Sequence, residues 1–388
     1  MSKWQTVKLS DMFTLQMGKT PSRDNPAYWN GTHKWVSIAD LGKAAKFIVD
    51  TKECITDLAV SETGIKATPK DTIVMSFKLS IGKTAVTAEE IYTNEAIMSF
   101  IDKGIYDFDV DYIYHLFSSK DWSEGTNKAV MGITLNKATL SQVSIPLPPI
   151  VEQRKIAYNL GKVTYLIDLC NAILEKLDLL VKSRFVEMFG TLESPASNFE
   201  YDTLKNLCYK ITDGKHGGCT FEEGTSFYFV GAREIYDDTV HYETAPEITE
   251  EEFYKDYKRC NVEVGDFLIV NTGATIGKSA IATDDRTEHT LLQKSVALMK
   301  TKKDKLLPIF LMYCYKVNDR MYKVESASAQ PNLLLSKINA TKIYVPSLAL
   351  QQQFAAFVEQ TDKSKLAVKK VLEKAETLKK ALMQEYFG

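Results

Sequence analysis

Asp71-Thr72-Ile73-Val74-Met75-Ser76, followed by Ile81-Gly82-Lys83-Thr84, returns 195 residues later as Asp266-Phe267-Leu268-Ile269-Val270-Asn271 with Ile276-Gly277-Lys278-Ser279. The spacing from Asp to Lys is 12 both times. Farther along, Leu135-Asn136-Lys137 and Ile145-Pro146 align with Leu335-Ser336-Lys337 and Val345-Pro346, and Gln153 with Gln353, at an offset of 200. Glu187-Met188-Phe189-Gly190 is answered by Glu385-Tyr386-Phe387-Gly388. A period just under 200 residues is too long for a solenoid repeat and indicates two copies of one domain-sized unit.

Each copy divides in two. The first part, residues 1–148 and 191–346, mixes short β-rich runs such as Thr72 to Met75 and Val296 to Met299 with turns and a few helical stretches. That pattern predicts a mixed α/β (α+β) globule. The second part, residues 149–190 and 347–388, reads as a long helix. In the first copy it opens on Pro148-Pro149, a helix-start signal, and carries Ile156, Leu160, Val163, Ile167, Cys170, Leu174, Leu177 and Val181 at alternating steps of 4 and 3. This a/d seam, interrupted only by Arg184 before Met188, predicts a coiled coil. The second copy offers Phe354, Phe357, Thr361, Val368, Val371, Ala375, Leu378 and Leu382, a more polar seam flanked by lysines. About 38 residues at 1.5 Å each make a rod of roughly 57 Å. A narrow stripe buries itself against one or two other helices, so each long helix is the natural partner of the other.

The chain has 388 residues, 48 Lys plus Arg against 50 Asp plus Glu, and a net charge of −2. No global positive field marks a polyanion partner, so any nucleic-acid surface is local. The six cysteines form no C-x-x-C pair and read as reduced thiols of a cytoplasmic protein. No apolar run reaches 18 residues and no signal-peptide core is present, which argues against a membrane or secreted protein.

Several motifs suggest catalysis and fail on spacing. Gly18-Lys19-Thr20, Gly82-Lys83-Thr84 and Gly277-Lys278-Ser279 resemble the end of a phosphate loop, but the glycine required five residues upstream is Phe13, Phe77 or Thr272. Asn25-Pro26-Ala27-Tyr28 approaches an adenine-methyltransferase loop, but Ala27 breaks it and no methyl-donor motif accompanies it. The five histidines show no metal-ligand spacing, and the acidic pairs form no nuclease pattern.

Binding chemistry remains. The loops around Lys19, Thr20, Ser22 and Arg23, and around Lys215 and His216, stand at corresponding places and combine glycine with short donors and cations suited to a polyanion. Lys78, Ser80 and Lys83 follow a buried strand in the first copy, as Asn271, Thr272 and Lys278 do in the second. Asn127 and Lys128 are matched by Gln330 and Asn332, and Arg233 joins the set. Amide side chains suit adenine edges, and Arg or Lys suit guanine.

Pro146-Leu147-Pro148-Pro149-Ile150-Val151-Glu152-Gln153-Arg154-Lys155-Ile156, together with I-G-K-[TS] after a strand in each half, resembles the specificity subunit of type I restriction-modification enzymes over the whole chain. The resemblance implies two target recognition domains, each reading half of a bipartite asymmetric site in double-stranded DNA. It also implies two helices that pair as an antiparallel coiled coil with pseudo-two-fold symmetry, set the spacer and dock two modification subunits. No catalytic centre or cofactor is implied for this chain. S-adenosylmethionine, ATP and Mg would belong to the modification and restriction subunits. A stand-alone nucleic-acid-binding regulator and a coiled-coil scaffold without DNA binding are the alternatives.

Overall fold

The computed structural model describes residues 4–78, 80–122, 135–323 and 332–388, so Asn127, Lys128 and Gln330 lie outside the described residues. Two compact units result, one of residues 1–170 with 371–388, the other of residues 171–370.

In the first unit, a five-stranded sheet runs in the order Phe13–Met17, Ile97–Asp102, Ile73–Ser76, Thr84–Thr87 and Phe47–Ile48, antiparallel except for the last pair. Ile73–Ser76 lies between two neighbours and is buried along its whole length, as its unbroken apolar run requires. A smaller sheet pairs Trp29–Val36 with Glu53–Ile55 and, in parallel, with Tyr92–Thr93. The second unit repeats the plan. Its four-stranded sheet is ordered Cys208–Asp213, Val296–Thr301, Phe267–Val270 and Ser279–Ile281, and Tyr228–Val230 pairs in parallel with Thr290–Leu292. This is a mixed α/β fold with two long helices, Ile150–Phe189 and Leu348–Phe387, each of 40 residues.

Hydrogen bonding corrects the repeat arithmetic at two places. Gly82 N–H donates to the Ser76 carbonyl and Ser76 N–H to the Lys83 carbonyl, whereas Gly277 donates to Val270 and Val270 to Lys278. Ser76 therefore corresponds to Val270, not to Asn271. Likewise Asp71 corresponds to Gly265, not Asp266. Both take a positive φ, 56° and 94°, and their N–H groups donate to Thr87 and Ala282. The second copy has one extra residue between strand and lysine, and Asp266, buried and paired with Lys300 at 2.7 Å, falls in the slot of Thr72.

The second correction covers the whole stretch aligned at an offset of 200. The Val143 and Thr341 carbonyls accept from Leu9 and Leu204, and the helices Lys137–Gln142 and Leu335–Ala340 start after Asn136 and Leu334. The true offset is therefore 198, so Ile145 answers Ile343 and Pro148 answers Pro346. Gln153 and Gln351 are the equivalent glutamines, each fully buried with its side chain turned back to the carbonyl of the proline before its helix, Pro148 at 2.7 Å and Pro346 at 2.9 Å. Gln353 is exposed. The run Gln351-Gln352-Gln353 admits three alignments, and only the first glutamine sits where its amide reaches back over the helix start.

Ile156, Leu160, Val163, Val181 and Phe354 are buried, and Ile167, Leu174, Leu177, Phe357, Val368 and Leu382 half-buried, but Val371 and Leu378 stand 44% and 49% exposed. A 3.6-residue helix drifts about 20° per heptad from a strict 3.5 repeat. Ala375 of the expected seam is buried, and Leu372, half-buried, takes the place of its neighbour Val371. Phe185, beside the apparent interruption at Arg184, is fully buried.

Each unit encloses pieces of both helices. In the first unit, Leu382, Met383, Tyr386 and Phe387 pack on a core containing Tyr112, Phe117, Ile156 and Leu160. In the second, Phe185, Phe189, Phe310 and Phe354 form one aromatic group, with Phe189 and Phe310 ring centroids 5.0 Å apart. Gly190 ends the first helix at φ 73°, where an added Cβ would lie 2.2 Å from the Ser194 carbonyl.

Candidate nucleic-acid interface

The Gly-Lys loops are held by the same main-chain bonds in each unit. Gly18 and Lys19 donate to Ile97 and Thr93, and Gly214 and Lys215 to Val296 and Leu292. A Cβ on Gly18 would meet the Thr93 carbonyl at 2.2 Å, and one on Gly214 the Leu292 carbonyl at 2.2 Å. Glycine is thus required for the loop to lie against the neighbouring strand end. In each unit the loop stands at one end of the main sheet, beside the turn that follows its central strand. Phe77 N–H donates to Ala96 at 3.0 Å in the first unit, and Asn271 N–H to Ser295 at 3.0 Å in the second.

The two loop lysines differ: Lys19 is exposed, whereas Lys215 is held inside an ion pair. Lys19 Nζ donates to the Thr63 carbonyl at the end of the helix Asp57–Thr63. Lys215, 9% exposed, pairs with Glu252 and with Asp256 at 2.8 Å on the helix Glu250–Cys260. Burial opposes its charge, but the hydrogen bonds it donates to Asp256 and Glu252 prevail and hold its pKa above the ordinary lysine value. Arg23 is engaged too. It forms a two-pronged pair with Glu53 and lies over Trp29, 3.8 Å from the ring centroid. Its hydrogen bond holds the Glu53 carboxyl below the ordinary value.

Other predicted residues divide between shaping the loops and facing solvent. Ser22 accepts Asp24 N–H at 3.3 Å, and the Ser80 carbonyl accepts Ser76 Oγ at 2.6 Å. Asn271 is buried, its backbone joined to Ser295 and Leu333, so its amide is not a surface reader. Thr272 Oγ1 meets Asn332 Oδ1 at 3.4 Å, across a bridge between the two residues. Thr20 Oγ1 donates to Glu95, and exposed His216 has Nε2 3.0 Å from Asp213 Oδ2. Lys78 is exposed near the Phe77 ring. Lys83, Arg233 and Lys278 are exposed, and among the described residues none has an acidic partner at ion-pair distance.

Sequence spacing missed Glu95 and Lys294, exposed residues of the turns that receive the loops. Asn94-Glu95-Ala96 and Gln293-Lys294-Ser295 share no residue type, so only hydrogen bonding pairs them. Gln293 and Arg233 line one cleft with Glu234, Thr244 and Ser295. Among the described residues no group of three His, Cys, Asp or Glu side chains is placed to hold a metal ion, and no helix is long and apolar enough to cross a membrane.

Two copies of one loop-bearing α/β unit, with two 40-residue helices shared between them, define a tandem recognition protein. The chain belongs to the type I restriction modification DNA specificity domain family, whose profile matches it twice, over residues 1–179 and 197–379. It is 26% identical over 380 residues to the type I restriction enzyme MjaIX specificity subunit of Methanocaldococcus jannaschii, covering 92% of this chain and 86% of that protein. The MjaVIII specificity subunit of the same organism is 23% identical over 408 residues, with 98% and 91% covered. The fold is similar to the type I S subunit of M. genitalium, with a TM-score of 0.57, 17% identity and 100% and 96% of the chains covered. A chain from a structure addressing complex assembly and conformational transition of the type I R-M system gives a TM-score of 0.62 at 16% identity, with 99% and 97% covered.

Proposed function

We propose that this chain is the DNA-reading subunit of a multisubunit type I restriction-modification enzyme, each unit reading one half of a bipartite asymmetric site in double-stranded DNA. The observation that carries the reading is the duplicated loop: Gly18-Lys19 and Gly214-Lys215 are fixed by matching bonds beside sheet ends that expose Lys83 in one unit and Lys278 in the other. Such cations supply sequence-independent attraction to phosphate, and the variable side chains between them supply base choice.

The long helices pair as an antiparallel coiled coil about a pseudo-two-fold axis, set the spacer and dock two modification subunits. Contacts inside each unit support this. Asn159 meets Tyr386 at 3.2 Å in the first unit, while Asp178 meets Lys365 at 2.6 Å and Phe185 meets Phe354 at 5.3 Å between centroids in the second. Residue numbers on one helix rise as those on the other fall. Val151, Tyr158 and Tyr165, exposed at heptad spacing, offer a face to a partner helix. In this reading the chain contributes no catalytic group. S-adenosylmethionine serves the modification subunits, ATP and Mg the restriction subunits, and the complex works in the cytoplasm.

DNA binding measured for the chain alone and with modification subunits tests the reading. Sequence-specific binding that appears on assembly supports it. Tight specific binding by the chain alone would favour a stand-alone regulator, and none in either state would leave a scaffold.

A further inference from the structure

One position of the matched loops carries opposite charge in the two units. Asn94 N–H donates to Val36 at 3.1 Å and Gln293 N–H to Val230 at 2.8 Å, and the Ala96 and Ser295 carbonyls accept from Phe77 and Asn271. The residues between, Glu95 and Lys294, are therefore structural equivalents, and both are exposed. Lys294 stands next to the Gly214-Lys215 loop, its N–H donating to the Lys215 carbonyl at 3.0 Å. Glu95 stands at the corresponding place by the Gly18-Lys19 loop and takes the Thr20 hydroxyl.

A carboxylate on a surface that approaches DNA is repelled by the phosphates, so the base edge it favours is one that presents a donor. In the major groove the cytosine N4 amino group is such a donor without an adjoining acceptor. Adenine pairs its N6 amino group with the N7 acceptor, which opposes a carboxylate and suits an amide. An ammonium in the same place meets the two acceptors of guanine, O6 and N7. The exchange of Glu for Lys at one framework position thus inverts the base edge that the position accepts.

We propose that Glu95 is a specificity-determining residue through which the first unit requires cytosine at one position of its half-site, and that Lys294, its counterpart, selects guanine in the second. This rests on the reading of the chain as a DNA-recognition subunit, and the experiment separates the two. Unmethylated, amplified genomic DNA is treated with the assembled methyltransferase carrying wild-type chain, Glu95→Ala, Glu95→Lys or Lys294→Ala, and the methylated motif is read by sequencing. Glu95→Ala is expected to lower the preference for cytosine roughly ten- to hundred-fold at one position while the rest of the motif stands. Glu95→Lys is expected to replace cytosine by guanine there, and the second unit shows that this turn accommodates a lysine. Lys294→Ala is expected to relax one guanine in the other half. An unchanged motif in Glu95→Ala, or equal loss at every position of the half-site, overturns the assignment of Glu95. Uniform weakening by Lys294→Ala makes that residue a phosphate contact and overturns its part. A wild-type complex that methylates no defined motif would instead overturn the functional reading beneath both.

Discussion

Gln153 accepts the backbone N–H of Asp109 through Oε1 at 2.9 Å, and in the other unit Gln351 does the same for Leu307 at 2.9 Å. Asp109 and Leu307 are the N-cap residues of the helices Val110–Ser119 and Pro308–Val317. A single buried amide therefore joins the start of each long helix to the start of a helix in the globule before it. Replacing Gln153 by Met keeps its length but leaves a part-buried N–H and a buried carbonyl without this partner, at a cost of about 2 kcal/mol. Thermal melting of Gln153→Met and Gln351→Met is expected to show that loss, with faster amide exchange at Asp109 or Leu307. Gln353→Met, at an exposed site, is expected to melt as wild type does.

Gly18→Ala and Gly214→Ala are expected each to displace one loop, since the new methyl group would lie 2.2 Å from a carbonyl oxygen in either case. Overpacking of this kind costs about 1–3 kcal/mol. DNA binding by the assembled complex should weaken through one half-site per variant, as read by footprinting. Equal footprints in variant and wild type would show that the loop position is irrelevant to DNA.

The cations separate into two groups by salt dependence. Lys83→Ala and Lys278→Ala should each reduce the slope of log binding constant against log salt by about 0.9 if each touches one phosphate. Lys215→Ala should leave Glu252 and Asp256 without their ion-pair partner and lower the melting temperature without changing the salt slope. Titration at several salt concentrations, together with melting curves, checks both expectations.

Acid sensitivity should originate in the first unit. Burial, with smaller contributions from Lys379 and Lys46 and against Asp111, pushes the pKa of His115 down to about 4. The unfolded chain takes that proton near about 6.5, so between these values the unfolded state binds more protons. Stability from this residue is complete above about pH 6.5 and falls as pH drops towards about 4, by about 3 kcal/mol in all. Tyr313, at the equivalent helix position, is also buried, and burial raises its pKa away from this window. Melting of wild type and His115→Leu at pH 7 and pH 5 should show a smaller acid-induced drop in the variant.

The sequence by itself determined the duplication, read from matched segments nearly 200 residues apart, and what depends on neighbours a few residues away: the buried strands Ile73–Ser76 and Phe267–Val270, the two long helices and most of the first seam. Periodicity reports these because helix and strand direct side chains at fixed local intervals. Tertiary structure decided which residues are equivalent and which charges are free. One extra residue moved Asp266 into the slot of Thr72, and a slip of two moved the buried glutamine from position 353 to 351. Arg23 and Lys215 are held by Glu53, Glu252 and Asp256, acids some 30 to 40 residues along the chain that only folding brings near. Lys83 and Lys278 look the same in the sequence and stand exposed. A lysine's availability to phosphate is set by the acids packed around it, and that packing is a property of the folded chain.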